Sequence, residues 1–124
     1  MDSDCHLNAI EEIVMAAAVE KFDSDVINEL SRRIVQAVHP LRIMLFGSAV
    51  RNQMGPDSDI DVLVVVPDGT HCLNTTQHLY KQLFGFGWPV DILVTTSEIL
   101  ERQKHNAGLV YRRILIEGKE IYAA

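Results

Sequence analysis

The stretch LFGSAVRNQMGPDSDIDVLVVV, residues 45–66, contains the features that decide the fold. An apolar run ends at a Gly-Ser pair, a polar loop with Gly-Pro follows, and a second apolar run opens with Asp-Ile-Asp. That second run continues as Val-Leu-Val-Val-Val, which is typical of a strand covered on both faces. The sequence therefore predicts strands over 41–46 and 59–66, close enough along the chain to pair as a hairpin.

The rest of the chain alternates helical and extended patterns. Apolar spacing predicts a helix over residues 6–20 and a second helix that begins at a cap, Asp23 or Ser24, and is stopped by Pro40. Three more helices are predicted over 71–84, 97–105 and 107–117. VDILV at 90–94 predicts a third strand, and KEIYA at 119–123 predicts a short edge strand or tail. The predicted fold class is α/β (α+β), a mixed β-sheet flanked by helices.

Composition limits the classes of function. The 124 residues predict one domain, with N-terminal helices in 1–40 and the core in 41–124. A net charge of −6 argues against strong nucleic-acid binding through phosphate neutralisation. Two cysteines form no disulfide framework, and no apolar stretch approaches the roughly 20 residues of a membrane span. We therefore expect a soluble, cytoplasmic protein.

Three aspartates are candidates for a metal site. Side chains at i and i+2 of a strand point to the same face, so Asp59 and Asp61 project together. Asp91 lies near the start of the third predicted strand and joins them if that strand is a neighbour. Converging carboxylates need a counter-charge, and their hard oxygen ligands suit Mg²⁺ or Mn²⁺. Two such ions can clamp a phosphoryl group.

The Gly-Ser pair is a candidate phosphate site. Gly47 leaves backbone N–H groups unobstructed, the Ser48 hydroxyl can hold a phosphate oxygen, and Arg51 can add a bidentate contact. An ordinary tight turn is the alternative for this pair, and a solvated strand entry is the alternative for the aspartates.

The combined spacing carries more information than either feature alone. Gly-Ser, ten residues, then Asp-x-Asp at the head of an apolar strand resembles the signature of the polymerase-β-like nucleotidyltransferase superfamily. VDILV resembles the strand that carries the third acid of the superfamily, and LVYRRILIEGKEIYA is similar to the end of the minimal nucleotidyltransferases. The resemblance covers residues 41–124. It departs at Asn52, which follows Arg51 where the family often has glycine.

This resemblance implies an activity and residue roles. The implied reaction moves a nucleoside monophosphate, AMP from ATP, to a hydroxyl group and releases pyrophosphate. Gly47 and Ser48 would hold the outer phosphates. Asp59 and Asp61 would bind two Mg²⁺ or Mn²⁺ ions. Asp91 would bind the ion nearer the acceptor and help to deprotonate the acceptor hydroxyl.

The acceptor is inferred from the same resemblance. Larger relatives carry additional domains for their acceptors, so a chain of this size suggests a site completed by a partner protein or a second copy. Similar minimal nucleotidyltransferases are antitoxins that adenylylate a tyrosine on a helical toxin of the HEPN type. We therefore expect a protein adenylyltransferase antitoxin. The alternatives are a non-catalytic module that neutralises a partner by binding, and a nucleotidyltransferase that modifies a small molecule such as an antibiotic.

Overall fold

A computed structural model describes residues 25–47, 50, 59–105 and 110–124. Its helices and strands, in chain order, are α1 (Ile27–Val38), β1 (Arg42–Phe46), β2 (Ile60–Val66), α2 (Cys72–Gln82), β3 (Val90–Thr96), α3 (Ser97–Gln103), α4 (Val110–Glu117) and β4 (Lys119–Ala123). Each lies where the sequence predicts it. The predicted helix over 6–20, the cap at Asp23 or Ser24 and the predicted loop over 51–58 lie outside the described residues.

The four strands form one mixed sheet in the order β3-β2-β1-β4. β1 pairs antiparallel with β2 and with β4, whereas β2 and β3 are parallel. The hairpin-like pairing of the first two strands and the mixed sheet are thereby confirmed. A parallel neighbour requires a crossover connection, and α2 supplies it between β2 and β3.

β2 is an interior strand that is covered on both faces. Leu63 and Val65 point to one face, where they form a buried cluster with Met44 of β1, Leu100 of α3 and Ile114 of α4. The alternate residues of β2 point to the other face and are also buried; these are Ile60, Val62, Val64 and Val66. Removal of this apolar surface from water is the main favourable contribution to the fold.

Side chains cap the first turns of two helices. Thr96 caps α3 by accepting a hydrogen bond from the Ile99 N–H at 3.2 Å, a role that threonine commonly takes at a helix start. His71 caps α2 through Nδ1, which accepts from the Asn74 N–H at 3.2 Å. Gly118 follows α4 directly, at the position expected for a glycine that ends a helix.

One side of α2 is exposed although it carries large apolar residues. Leu79 is the buried residue within α2, and Leu83 is buried directly after it. Leu73 and Tyr80 are exposed, as is Phe84 two residues after the helix ends. The reason is the direction in which α2 packs on β3, because only one stripe of a surface helix can face the sheet.

The chain divides into two compact units, residues 1–30 and 31–124, and the whole sheet belongs to the second. The prediction of one domain over 1–124 stays a prediction. Within the part of the chain that the structure describes, no helix is sufficiently long and apolar to cross a lipid bilayer.

Candidate functional site

The candidate site lies along one edge of the sheet, the edge formed by the end of β1 and the first residues of both β2 and β3. Phe46, the last residue of β1, pairs with Asp61 near the start of β2. Gly47 follows Phe46 and therefore lies beside the Asp61 position. The antiparallel pairing of β1 and β2 thus brings the Gly-Ser turn and the Asp-x-Asp motif to one edge, although ten residues separate them in sequence.

Gly47 is required by its backbone conformation and by its surroundings. Its φ of +72° lies in the left-handed region, which side chains with a Cβ rarely adopt. A Cβ placed there would also overlap the carboxylate of Asp61. The Val50 N–H donates to the Gly47 carbonyl at 3.2 Å, which holds Val50 close to the turn. The absence of a side chain leaves the Asp61 carboxylate room against the backbone.

Asp91 lies beside Asp61. The parallel register of β2 and β3 pairs these two residues directly, so their side chains lie on the same face of the sheet, with neighbouring strands about 4.8 Å apart. Asp59 precedes Asp61 by two residues, immediately before β2. Asp61 is half-buried, whereas Asp59 and Asp91 are exposed. The three predicted acids therefore belong to one edge of the sheet.

The structure adds Tyr80 to the surroundings of Asp91. Its hydroxyl oxygen accepts a hydrogen bond from the Ile92 N–H at 3.0 Å and lies 3.5 Å from Asp91 Oδ1. Tyr80 comes from α2, which packs against β3. The sequence predicts the helix that contains Tyr80, but no local pattern indicates the contact of Tyr80 with Asp91.

The acids fit a divalent cation in chemistry and placement. Carboxylate oxygens are the ligands that Mg²⁺ and Mn²⁺ prefer, and the strand register sets Asp61 and Asp91 side by side at a partly open edge. Among the described side chains, no group of three or more His, Cys, Asp or Glu residues is already assembled to hold an ion. The backbone brings the acids to one edge without forming a finished three-ligand cage.

A cavity of about 270 Å³ adjoins this edge. Gly47 and Asp61 line it on the strand side, and residues of α4 line the opposite side. The α4 residues include Val110, Ile114 and Arg113; the Arg113 Nε lies 3.3 Å from Glu117 Oε2. The local sequence pattern around Arg113 gives no sign of this position, because nothing in it connects α4 with Gly47.

Ser48 and Arg51, the other predicted phosphate ligands, lie outside the described residues. Their roles stay predictions. Of the predicted site residues, the structure brings Gly47, Asp59, Asp61 and Asp91 to the same end of the sheet.

Comparison with known proteins gives a family match over most of the chain. The model of a family described as "Nucleotidyltransferase domain" matches residues 26–121. A protein from Methanocaldococcus jannaschii, MJ0435, which is provisionally named a protein adenylyltransferase, is 35% identical over 74 residues. The matched segment covers 57% of this chain and 80% of that protein.

Solved structures share the fold at low sequence identity. A structure provisionally described as a nucleotidyltransferase, from Sulfolobus solfataricus, has a TM-score of 0.59 at 16% identity and covers 87% of this chain and 86% of its own. A mutant of the toxin–antitoxin pair MntA–HpeT has a TM-score of 0.59 at 15% identity, with coverages of 78% and 73%. A toxin–antitoxin structure with AMP-PNP has a TM-score of 0.56 at 20% identity, with coverages of 81% and 73%. These likenesses show the fold.

Proposed function

Because the chain belongs to the nucleotidyltransferase family, we propose that it transfers AMP from ATP to a hydroxyl group and releases pyrophosphate. The single observation that supports this proposal most strongly is the direct pairing of Asp61 with Asp91, next to the bare backbone of Gly47. In transfer reactions of this kind a protein mainly positions groups and neutralises developing charge, which carboxylates, backbone amides and bound cations do together.

Each part of the edge has a proposed role. Asp59, Asp61 and Asp91 hold Mg²⁺ or Mn²⁺, which the family resemblance gives as two ions. Bound Mg²⁺ supplies positive charge that offsets the negative charge of the triphosphate. The backbone of the turn at Gly47 contacts phosphate oxygens beside the Asp61 carboxylate, and Ser48 extends that contact.

A role for Asp91 follows from its exposure. Its carboxylate accepts the proton of the incoming hydroxyl, while the hydroxyl oxygen bonds to the α-phosphorus of ATP. The bond between that phosphorus and the oxygen bridging to the β-phosphate breaks, and pyrophosphate leaves.

Arg113 lines the cavity beside Gly47, where a guanidinium offers a bidentate contact to a phosphate.

We infer that the acceptor is a tyrosine of a small helical partner, a toxin of the HEPN type. MJ0435 carries the name of a protein adenylyltransferase, and two structural neighbours are toxin–antitoxin assemblies, one of them with AMP-PNP. The MntA–HpeT mutant carries two aspartate-to-glutamate substitutions two positions apart, which is the spacing of Asp59 and Asp61. These names support the proposed class of acceptor.

The test uses the full chain together with the protein encoded next to it. The pair is incubated with α-labelled ATP and Mg²⁺, and the label on each protein is followed by gel and by peptide mass mapping. We expect AMP on a tyrosine of the partner. A folded chain that transfers AMP to no hydroxyl group at all would contradict the proposed reaction, and transfer only to a small hydroxyl compound from an antibiotic screen would contradict the proposed acceptor.

A double variant separates catalysis from simple binding. Asp59→Asn with Asp61→Asn removes two charges from the edge, and the expected result is loss of both AMP transfer and partner neutralisation. The matched control is Glu98→Gln with Glu101→Gln, which removes two exposed charges from α3, away from Gly47. Neutralisation that survives in the aspartate variant would show that the chain acts by binding alone.

A further inference from the structure

The Tyr80 hydroxyl is held against Asp91 by two polar contacts. The Ile92 N–H, 3.0 Å away, can only donate, so the hydroxyl oxygen accepts from it. The proton of the same hydroxyl is then available to Asp91 Oδ1, which lies 3.5 Å away. This separation is long for a hydrogen bond, as is common for catalytic contacts before substrate is bound. The arrangement is that of an acceptor hydroxyl facing the group that takes its proton.

Tyr80 differs from the other two tyrosines of the chain in its position. Tyr80 is 44% exposed. Tyr111 is half-buried and packs against the buried cluster that contains Leu100 of α3 and Ile114 of α4. Tyr122 lies on β4, and β4 and β3 are the two outer strands on opposite sides of the sheet. Only for Tyr80 do the described contacts include one of the three acids of the site.

We propose that Tyr80 is an internal acceptor, so that the chain adenylylates itself at this residue. The inference rests on the proposed function, because it uses the same ATP and the same acid. The Tyr80 oxygen bonds to the α-phosphorus of ATP, its proton passes to the Asp91 carboxylate, and pyrophosphate leaves with the bridging oxygen. No oxidant, reductant or further reactant is needed.

The geometry also predicts that self-modification stops after one AMP and slows transfer to other acceptors. An AMP group on the Tyr80 oxygen removes the proton that faces Asp91 and places a phosphodiester charge beside that carboxylate. The added nucleotide lies where an incoming hydroxyl must approach Asp91. We therefore expect one AMP per chain, and slower transfer to a partner once Tyr80 is occupied.

The experiment follows the full chain with ATP and Mg²⁺, first alone and then with its partner protein. Intact mass shows whether one AMP is added, and peptide mapping assigns it among the three tyrosines. Tyr80→Phe retains the ring and is expected to reduce self-labelling at least tenfold, while Tyr122→Phe, the matched control, leaves it unchanged. Circular dichroism checks that both variants are folded.

The two arms separate failure of this inference from failure of the proposed function. Transfer to the partner without AMP on Tyr80 would overturn self-modification alone, as would a label confined to another residue. Loss of partner transfer in Tyr80→Phe, with no self-labelling of the parent chain, would also overturn it and would make Tyr80 a positioning residue for Asp91. If neither the chain nor the partner is labelled, the proposed reaction fails and this inference fails with it.

Discussion

A Cβ atom on Gly47 would overlap the carboxylate of Asp61, so the end of β1 and the start of β2 leave no space for a side chain between them. Gly47 also has a φ of +72°. Both requirements exclude a Cβ atom at Gly47, and the pairing of Phe46 with Asp61 accounts for the closeness of the carboxylate. The edge therefore couples the shape of the turn to the position of a candidate metal ligand.

Gly47→Ala is expected to lower both stability and AMP transfer. The left-handed backbone alone costs about 1–2 kcal/mol for a residue with a Cβ, and overlap with Asp61 adds about 1–3 kcal/mol. Urea unfolding measures the loss of stability, and transfer from labelled ATP measures the loss of activity. Gly69→Ala is the matched control, because Gly69 has a φ of +87° but a Cβ at that position would meet no atom within 4 Å. Equal losses in the two variants would contradict the contact with Asp61.

Asp91→Asn is expected to separate activity from stability. Replacing the carboxylate by an amide of the same shape removes the group that accepts the proton, so AMP transfer should fall about 100-fold or more. The unfolding free energy should stay the same or rise by up to about 1 kcal/mol, because like charges lie side by side at Asp61 and Asp91. Parallel transfer and urea-unfolding measurements test this. A variant that is strongly destabilised would mean that Asp91 is structural instead.

Thr95→Val is expected to stabilise the protein by about 1 kcal/mol. Thr95 is fully buried, and among the described polar side chains its Oγ1 is the buried atom without a hydrogen-bond partner. Burying an unpaired hydroxyl costs free energy, and a methyl group of similar shape removes that cost. Urea unfolding at a constant m-value measures the change. An unchanged or lower unfolding free energy would show that the hydroxyl has a favourable role.

Thr96→Val is expected to have the opposite sign, although it is the same substitution one position later. Thr96 Oγ1 accepts from the Ile99 N–H at the start of α3, and loss of such a cap costs about 1 kcal/mol. Thr96→Ser retains the oxygen and should recover most of the loss. Thermal unfolding of both variants checks the prediction. Stabilisation by Thr96→Val would contradict the capping role.

Local sequence patterns carry much of the fold. The valine run of β2 predicts an interior strand because a strand buried on both faces needs no polar alternation. The short separation between β1 and β2 predicts their antiparallel pairing, which the structure confirms. The same pairing brings Gly47 to Asp61, so this half of the candidate site follows from contacts within one hairpin.

The sequence by itself determined the strands, the helices from α1 to α4 and the Gly47–Asp61 half of the edge, since residues close along the chain decide these features. Only the tertiary structure decided that β3 pairs in parallel with β2, with Asp91 beside Asp61. It also decided which side of α2 is exposed and that Tyr80 reaches Asp91. These relationships depend on how α2 packs after a crossover, and no local periodicity encodes the register of two strands separated by a helix.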